Sequence, residues 1–117
     1  MVDEKKIAEL IAHAGSDKKA DDILVLELKN LTVISDYFVI MSASNTRLVQ
    51  AIADNIEDEL GKVGVFPLRK EGYAQGKWIL LDYGVCIAHI FLQEERSFYN
   101  LEQVWANAPV ITFDEKE

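Results

Sequence analysis

The residues able to carry chemistry are few, and their spacing assembles no reaction centre. The two histidines, His13 and His89, fall in different elements and neither has a metal-ligand spacing. His89 lies in the run Ile87-Ala88-His89-Ile90-Phe91, where it shares a strand face with Ile87 and Phe91. A hydrogen-bonded core or sheet-edge histidine is the default there, ahead of a catalytic one. The chain contains no H-E-x-x-H, no P-loop and no G-x-G-x-x-G. Gly61 with Gly64, and Gly72 with Gly76, punctuate turns without forming a phosphate cradle. Cys86 is the single cysteine. It rules out a disulfide within the chain, favours a reducing compartment, and in the apolar run Val85-Cys86-Ile87-Ala88 reads as a buried, inert thiol.

Carboxylates need a closer reading. Two-metal phosphoryl chemistry requires acidic side chains that bridge cations about 3.5–4 Å apart. A strand bearing Asp-x-Asp or Asp-x-Glu places both on one face. Here Leu81-Asp82-Tyr83-Gly84 offers one carboxylate, followed two residues later by glycine. Asp21 and Asp22 are consecutive, so in a strand they point to opposite faces and serve to solvate its entrance. The residues yield no catalytic group, no metal site and no cofactor site. An enzyme reading, a small metal-dependent nucleotidyltransferase using Asp22, Asp36 or Asp82, is the alternative.

What remains is a set of large side chains in the second half: Tyr73, Trp78, Tyr83, Phe98, Tyr99 and Trp105. Phe98 and Trp105 share a helical stripe with Leu101, which predicts core packing. Trp78 and Tyr83 each border a glycine-containing loop. Aromatics at element ends anchor protein interfaces, and they also pack half-buried. Spacing alone leaves both roles open for this pair. Five residues separate them, so a straight strand sends them to opposite faces. They share one patch only at an exposed sheet edge, or if Tyr83 has left the strand. The second case is expected, with the strand ending by Asp82.

The elements that must position these residues are legible from periodicity. Ile7, Leu10, Ile11 and Ala14 recur at helical spacing from Asp3 onward, with Gly15 as the stop. Ile23 to Leu28 is a strand apolar at both parities, hence buried on two faces. Asp36 to Ala43 is a second strand, with Tyr37, Val39 and Met41 on one face and Phe38 and Ile40 on the other. The short connection makes this pair antiparallel or non-adjacent. Ser44 or Asn45 caps a helix carrying Leu48, Ile52, Ile56, Leu60 and Val63, with Gly64 as terminator. A strand near Phe66 to Lys70 completes a right-handed, parallel strand–helix–strand unit. Trp78 to Asp82 and Val85 to Leu92 form a hairpin about Tyr83-Gly84. A final helix runs from about Glu94 to Trp105, Pro109 ends regular structure, and an acidic tail from about residue 110 is expected to be loose. The result is one α/β domain over residues 1–117: a mixed sheet of about five strands flanked by helices.

Composition bounds the partners. Of the 117 residues, 50% are hydrophobic, enough for one core and too few residues for two. Lys and Arg number 12 against 20 Asp and Glu, a net charge of −8. Such a surface repels phosphate, so DNA is excluded as a partner and RNA contact is at most secondary; the charge fits a basic protein partner, or simple solubility. No apolar stretch approaches a membrane span. The start, Met1-Val2-Asp3-Glu4-Lys5, lacks the layout of a secretion signal. A cytoplasmic protein is expected.

These segments resemble, across nearly the whole chain, the ribosomal silencing factor (Iojap-like) family. The resemblance rests on ordered motifs. The first is Leu31-Thr32-Val33-Ile34-Ser35-Asp36-Tyr37-Phe38-Val39-Ile40. Arg47 and Ala51-Ile52-Ala53-Asp54 follow. Next come Glu71-Gly72, Trp78-Ile79-Leu80-Leu81-Asp82-Tyr83-Gly84 and His89-Ile90-Phe91. The last is Arg96, Phe98-Tyr99 and Leu101-Glu102, ending at Trp105. One departure is Val85, where the family has an acidic residue after the hairpin glycine. The resemblance implies a nucleotidyltransferase-like fold without its catalytic carboxylates. It also implies binding to ribosomal protein fourteen of the large ribosomal subunit, which sterically blocks joining of the small subunit and represses translation. It assigns the contact surface to Trp78 and Tyr83, with Glu71 and Asp82 facing basic groups on the partner. A homodimer is a further assembly that it implies.

Overall fold

The computed structural model describes residues 3–111. Helix α1 (Glu4–Asp17) precedes strands β1 (Asp21–Glu27) and β2 (Tyr37–Ala43), helix α2 (Thr46–Gly61), and strands β3 (Arg69–Glu71), β4 (Trp78–Asp82) and β5 (Cys86–Leu92). Helices α3 (Gln93–Tyr99) and α4 (Leu101–Val104) and strand β6 (Val110–Ile111) complete the chain. The strands form one six-stranded sheet in the order β3-β4-β5-β2-β1-β6. Only β2 and β5 pair in parallel; every other pairing is antiparallel.

Pattern and packing agree along β1 and β2. Val25, Tyr37, Val39, Met41 and Ala43 enter one core, while Leu26, Leu28, Phe38 and Ile40 enter the other. This is the two-faced burial that their continuous apolar runs require. Helices α1 and α2 cover the first face, through Ile7, Ala8, Ile11 and Ala12 of α1 and Val49, Ile52, Ala53, Ile56 and Leu60 of α2. Asn45 caps α2, its side-chain oxygen accepting from the Leu48 N–H at 2.8 Å. The opposite face is covered by Leu101, Trp105 and Ala108.

Several expectations are corrected. Gly15 does not stop α1. The helix continues to Asp17, and the glycine permits close packing, since a Cβ there would collide with the Met41 sulfur. The chain turns instead at Lys19, in the left-handed region at φ 62°. The buried stripe of α2 includes Val49 and Ala53, and Val63 lies exposed beyond the helix end. Strand β3 begins at Arg69, leaving Phe66 and Leu68 exposed. It runs in the same sense as β2 but with two strands between them, because the β4–β5 hairpin occupies the place beside β2.

The final helix is broken at Asn100, whose left-handed φ of 49° separates α3 from α4. Phe98, in α3 before the break, is 79% exposed and does not share a buried stripe with Leu101 and Trp105 of the following segment. Pro109 does not end regular structure. Its carbonyl accepts from the Glu27 N–H at 2.9 Å, and Val110 and Ile111 add a sixth strand antiparallel to β1. The rest of the expected acidic tail lies outside the described residues.

The broken helix sets up a contrast. Trp105 meets Phe38 edge-on at 6.1 Å, so Trp105→Ala should lower stability by about 2–3 kcal/mol, scaled from buried aromatic truncations. Phe98→Ala should stay within about 0.5 kcal/mol. Urea denaturation of both variants measures the difference, and equal losses would restore a continuous buried stripe.

Candidate functional site

Strand alternation decides what the β3–β4 end presents. Ile79 and Leu81 point into the helix-covered core, so Trp78, Leu80 and Asp82 point to the opposite face. Register places Arg69 opposite Asp82 and Glu71 opposite Leu80, on that same face. Lys70 faces the other way and donates to Glu57 of α2 at 2.9 Å. There Glu71, Gly72, Trp78 and Leu80 line an open concavity of about 240 Å³. Gly72 is required on two counts. Its φ is +82°, and a Cβ would collide with the Trp78 carbonyl oxygen.

Trp78 is the centre of the site. Its ring lies 4.8 Å from Phe91 and 4.8 Å from Tyr99 of α3, and Tyr99 meets the exposed Phe98 edge-on at 5.1 Å. The indole N–H donates to Nδ1 of His89 at 3.1 Å. His89 is buried, as a hydrogen-bonded core histidine should be, and Phe38 meets its ring edge-on at 4.6 Å. With Nδ1 accepting, the ring proton sits on Nε2, which finds no partner among the described residues. Burial lowers the His89 pKa to about 4, against a smaller opposing effect from Asp82.

The acidic pair is engaged rather than free. Asp82 accepts from the Gly84 N–H at 2.8 Å through one oxygen and from Arg69 Nε at 3.3 Å through the other. Arg69 also donates to Glu71 at 2.6 Å. Arg69 therefore stands between the two carboxylates and partly neutralises them. The sequence reading missed it, because its signal exists only in the β3–β4 register. Leu80 was also missed, although its i, i+2 relation to Trp78 was readable.

Tyr83 does not join this group. The strand does end at Asp82 and Tyr83 does lie in the turn, with Gly84 at φ +85°. Yet the side chain folds into the helix-side core, 7% exposed, while Trp78 belongs to the opposite face. The expectation that the two act from one patch is corrected: leaving the strand carried Tyr83 inward beneath the sheet end. Its hydroxyl has no partner among the described residues, and burial, with a further contribution from the Glu57 charge, raises its pKa.

The other carboxylates stay dispersed. Asp22 adopts a left-handed φ of 51° at an irregularity in β1, and Asp21 accepts from Gln93 at 2.7 Å. Among the described residues no three His, Cys, Asp or Glu side chains form a group able to hold a metal ion. Cys86 is buried, and burial raises its pKa. No helix among the described residues is long and apolar enough to cross a membrane.

Residues 2–117 match the family described as ribosomal silencing factor during starvation. The chain belongs to this family. The ribosomal silencing factor RsfS of Bacillus subtilis is 37% identical over 113 residues, covering 97% of this chain and 96% of that protein. A crystal structure of a Chromobacterium violaceum protein superposes with a TM-score of 0.87 at 28% identity, covering 90% of this chain and 88% of the other. One from Bacillus halodurans gives 0.82 at 33% identity, covering 92% and 98%. The family's mixed sheet flanked by helices is thus the fold found here.

The lowered His89 pKa sets a pH dependence. The unfolded imidazole takes up a proton below about pH 6.5 and the folded one only near 4. Stability from this group is complete above 6.5 and falls as pH drops towards 4, by on the order of 3 kcal/mol. The difference between the denaturation profiles of wild type and His89→Leu should show that loss; parallel profiles would contradict the assignment.

Proposed function

We propose that this chain is a ribosomal silencing factor. It binds the large ribosomal subunit through ribosomal protein fourteen and sterically blocks joining of the small subunit, repressing translation. It does so as a cytoplasmic, non-catalytic protein without a cofactor. Family membership supports the silencing role. The observation that supports the site is the aromatic concavity of Trp78, Leu80, Glu71 and Gly72 on the incompletely covered sheet face. A large aromatic held by its neighbours with one side left accessible can anchor an interface at little entropic cost. The net charge of −8 favours encounter with a basic protein and disfavours direct rRNA contact as the main binding term.

Within this reading Trp78 is the anchor and Glu71 the exposed acidic contact. Asp82 contributes by holding Arg69 and the hairpin turn. Tyr83 shapes the turn from inside. The nucleotidyltransferase alternative gains no support from any arrangement of Asp22, Asp36 and Asp82.

Co-sedimentation with purified large subunits tests the reading. Trp78→Ala should weaken binding at least about tenfold while remaining folded, in line with a buried anchor's cost of about 2 kcal/mol. Tyr83→Phe removes only the hydroxyl, which has no partner among the described residues. It should bind as the wild type does, with equal or higher stability. Unchanged binding by folded Trp78→Ala removes the concavity from the site, and wild type that stays out of the subunit fraction overturns the function.

A further inference from the structure

Within the docking reading above, the histidine beneath the anchor has a role of its own. Trp78 on β4 faces Phe91, and His89 on β5 faces Leu80, so the two side chains are diagonal neighbours on one sheet face. The indole N–H to Nδ1 bond of 3.1 Å is the polar contact that fixes which way the indole lies. Phe91 and Tyr99 grip the ring by dispersion alone, and both contacts would tolerate a rotated indole. The imidazole is itself held, with Phe38 edge-on at 4.6 Å and the Phe91 ring nearly parallel to it at 6.2 Å.

Position 89 is poorly served by histidine as far as folding goes. Ile40 and Ile87 are its neighbours in the same core, and an aliphatic side chain would fill the position without a polar atom to satisfy. Instead the fold carries a buried Nε2–H with no partner among the described residues. A buried donor left unpaired opposes folding. Among the described residues, what an aliphatic side chain could not supply here is the Nδ1 acceptor for Trp78.

We infer that His89 is a positioning residue for docking: it holds the Trp78 indole in the orientation that leaves its accessible side facing the Glu71–Leu80 concavity. The position trades stability for a pre-oriented anchor. An indole free to rotate must be ordered at the moment of binding, which lowers affinity without removing any contact from the interface.

Two substitutions separate orientation from stability. His89→Leu removes the acceptor and the orphan Nε2–H, and releases the half-buried indole N–H to turn towards water. It should unfold at an equal or higher urea concentration than wild type at neutral pH, yet bind large subunits about five- to tenfold more weakly. His89→Asn places an amide oxygen near the position of Nδ1. It should be less stable than His89→Leu and still recover most of the affinity. In the ¹⁵N spectrum, the Trp78 indole N–H should be shifted and exchange faster in His89→Leu, and return towards the wild-type position in His89→Asn. Trp105→Phe assigns the two indole signals. Wild-type affinity in His89→Leu with its indole N–H released overturns the inference and leaves the docking reading intact. Affinity that follows stability across both variants also overturns it, making His89 merely structural. Wild type that does not bind large subunits, with Trp78→Ala no different, overturns the docking reading and this inference with it.

Discussion

The parallel pair at the centre of the sheet is the constraint from which the rest follows. Strands β2 and β5 align over seven residues each, from Tyr37 with Cys86 to Ala43 with Leu92, and every residue of β2 is buried. Strands so placed need cover on both faces. One face receives two full helices, α1 and α2. Among the described residues the other receives short α3, α4 and the turn leading to β6, whose Leu101, Trp105 and Ala108 join Leu26, Leu28 and Phe38 in the second core. That cover spans the middle of the sheet, touches β4 through Tyr99 against Trp78, and leaves β3 exposed among the described residues. Trp78 and Leu80 are therefore apolar residues of a core that was never closed, and the concavity is the part left over.

The open edge is nevertheless well held, because alternate residues answer to different partners. Lys70 and Tyr73 reach α2, bonding Glu57 and Asp54, and Gln50 of α2 donates to the Tyr73 carbonyl at 2.9 Å. Their neighbours Arg69, Glu71 and Gly72 then face the site from a backbone already fixed on the helix side. On the far side, Arg96 ties α3 to α4 through Glu102 and to the sheet through Ser42, which keeps Tyr99 against Trp78. A rigid rim of this kind lets a small apolar patch act as a specific surface, since little ordering remains to be done on binding.

Much of this was legible in the sequence wherever one local rule governed. The two-faced strands, the Asn45 cap, the Gly64 terminator and the Tyr83-Gly84 hairpin all follow from nearest-neighbour sterics and alternation. The failures share a cause, which is that a distant contact overrode a local signal. Gly15 reads as a helix stop but serves the Met41 contact. Asn100 is the exception, a local signal passed over: asparagine tolerates the left-handed conformation that ends helices, and here it separates α3 from α4. β6 is too short to carry a period and exists because β1 offers an open edge. For the proposed site, Trp78 was singled out by residue type and position and Glu71 by the family resemblance, whereas Arg69 and the inward turn of Tyr83 depend on register and on which core had room.

On the proposed docking, the arrangement of charge narrows how a basic partner would engage. The molecule's field is acidic, but at the rim Arg69 already satisfies Glu71 and Asp82. Both Arg69 and Glu71 have side chains more than half exposed, so their pairing is weak in water. A basic side chain of a partner can take over Glu71 at small net cost, releasing Arg69 to Asp82 alone. Asp82 itself is held by the Gly84 N–H at 2.8 Å. The exchange of one screened ion pair for another contributes little affinity, so the charges steer the encounter and set the register. On the proposed docking, the free energy of binding comes from apolar area at Trp78 and Leu80, and the orientation of one indole is then the quantity on which affinity would turn.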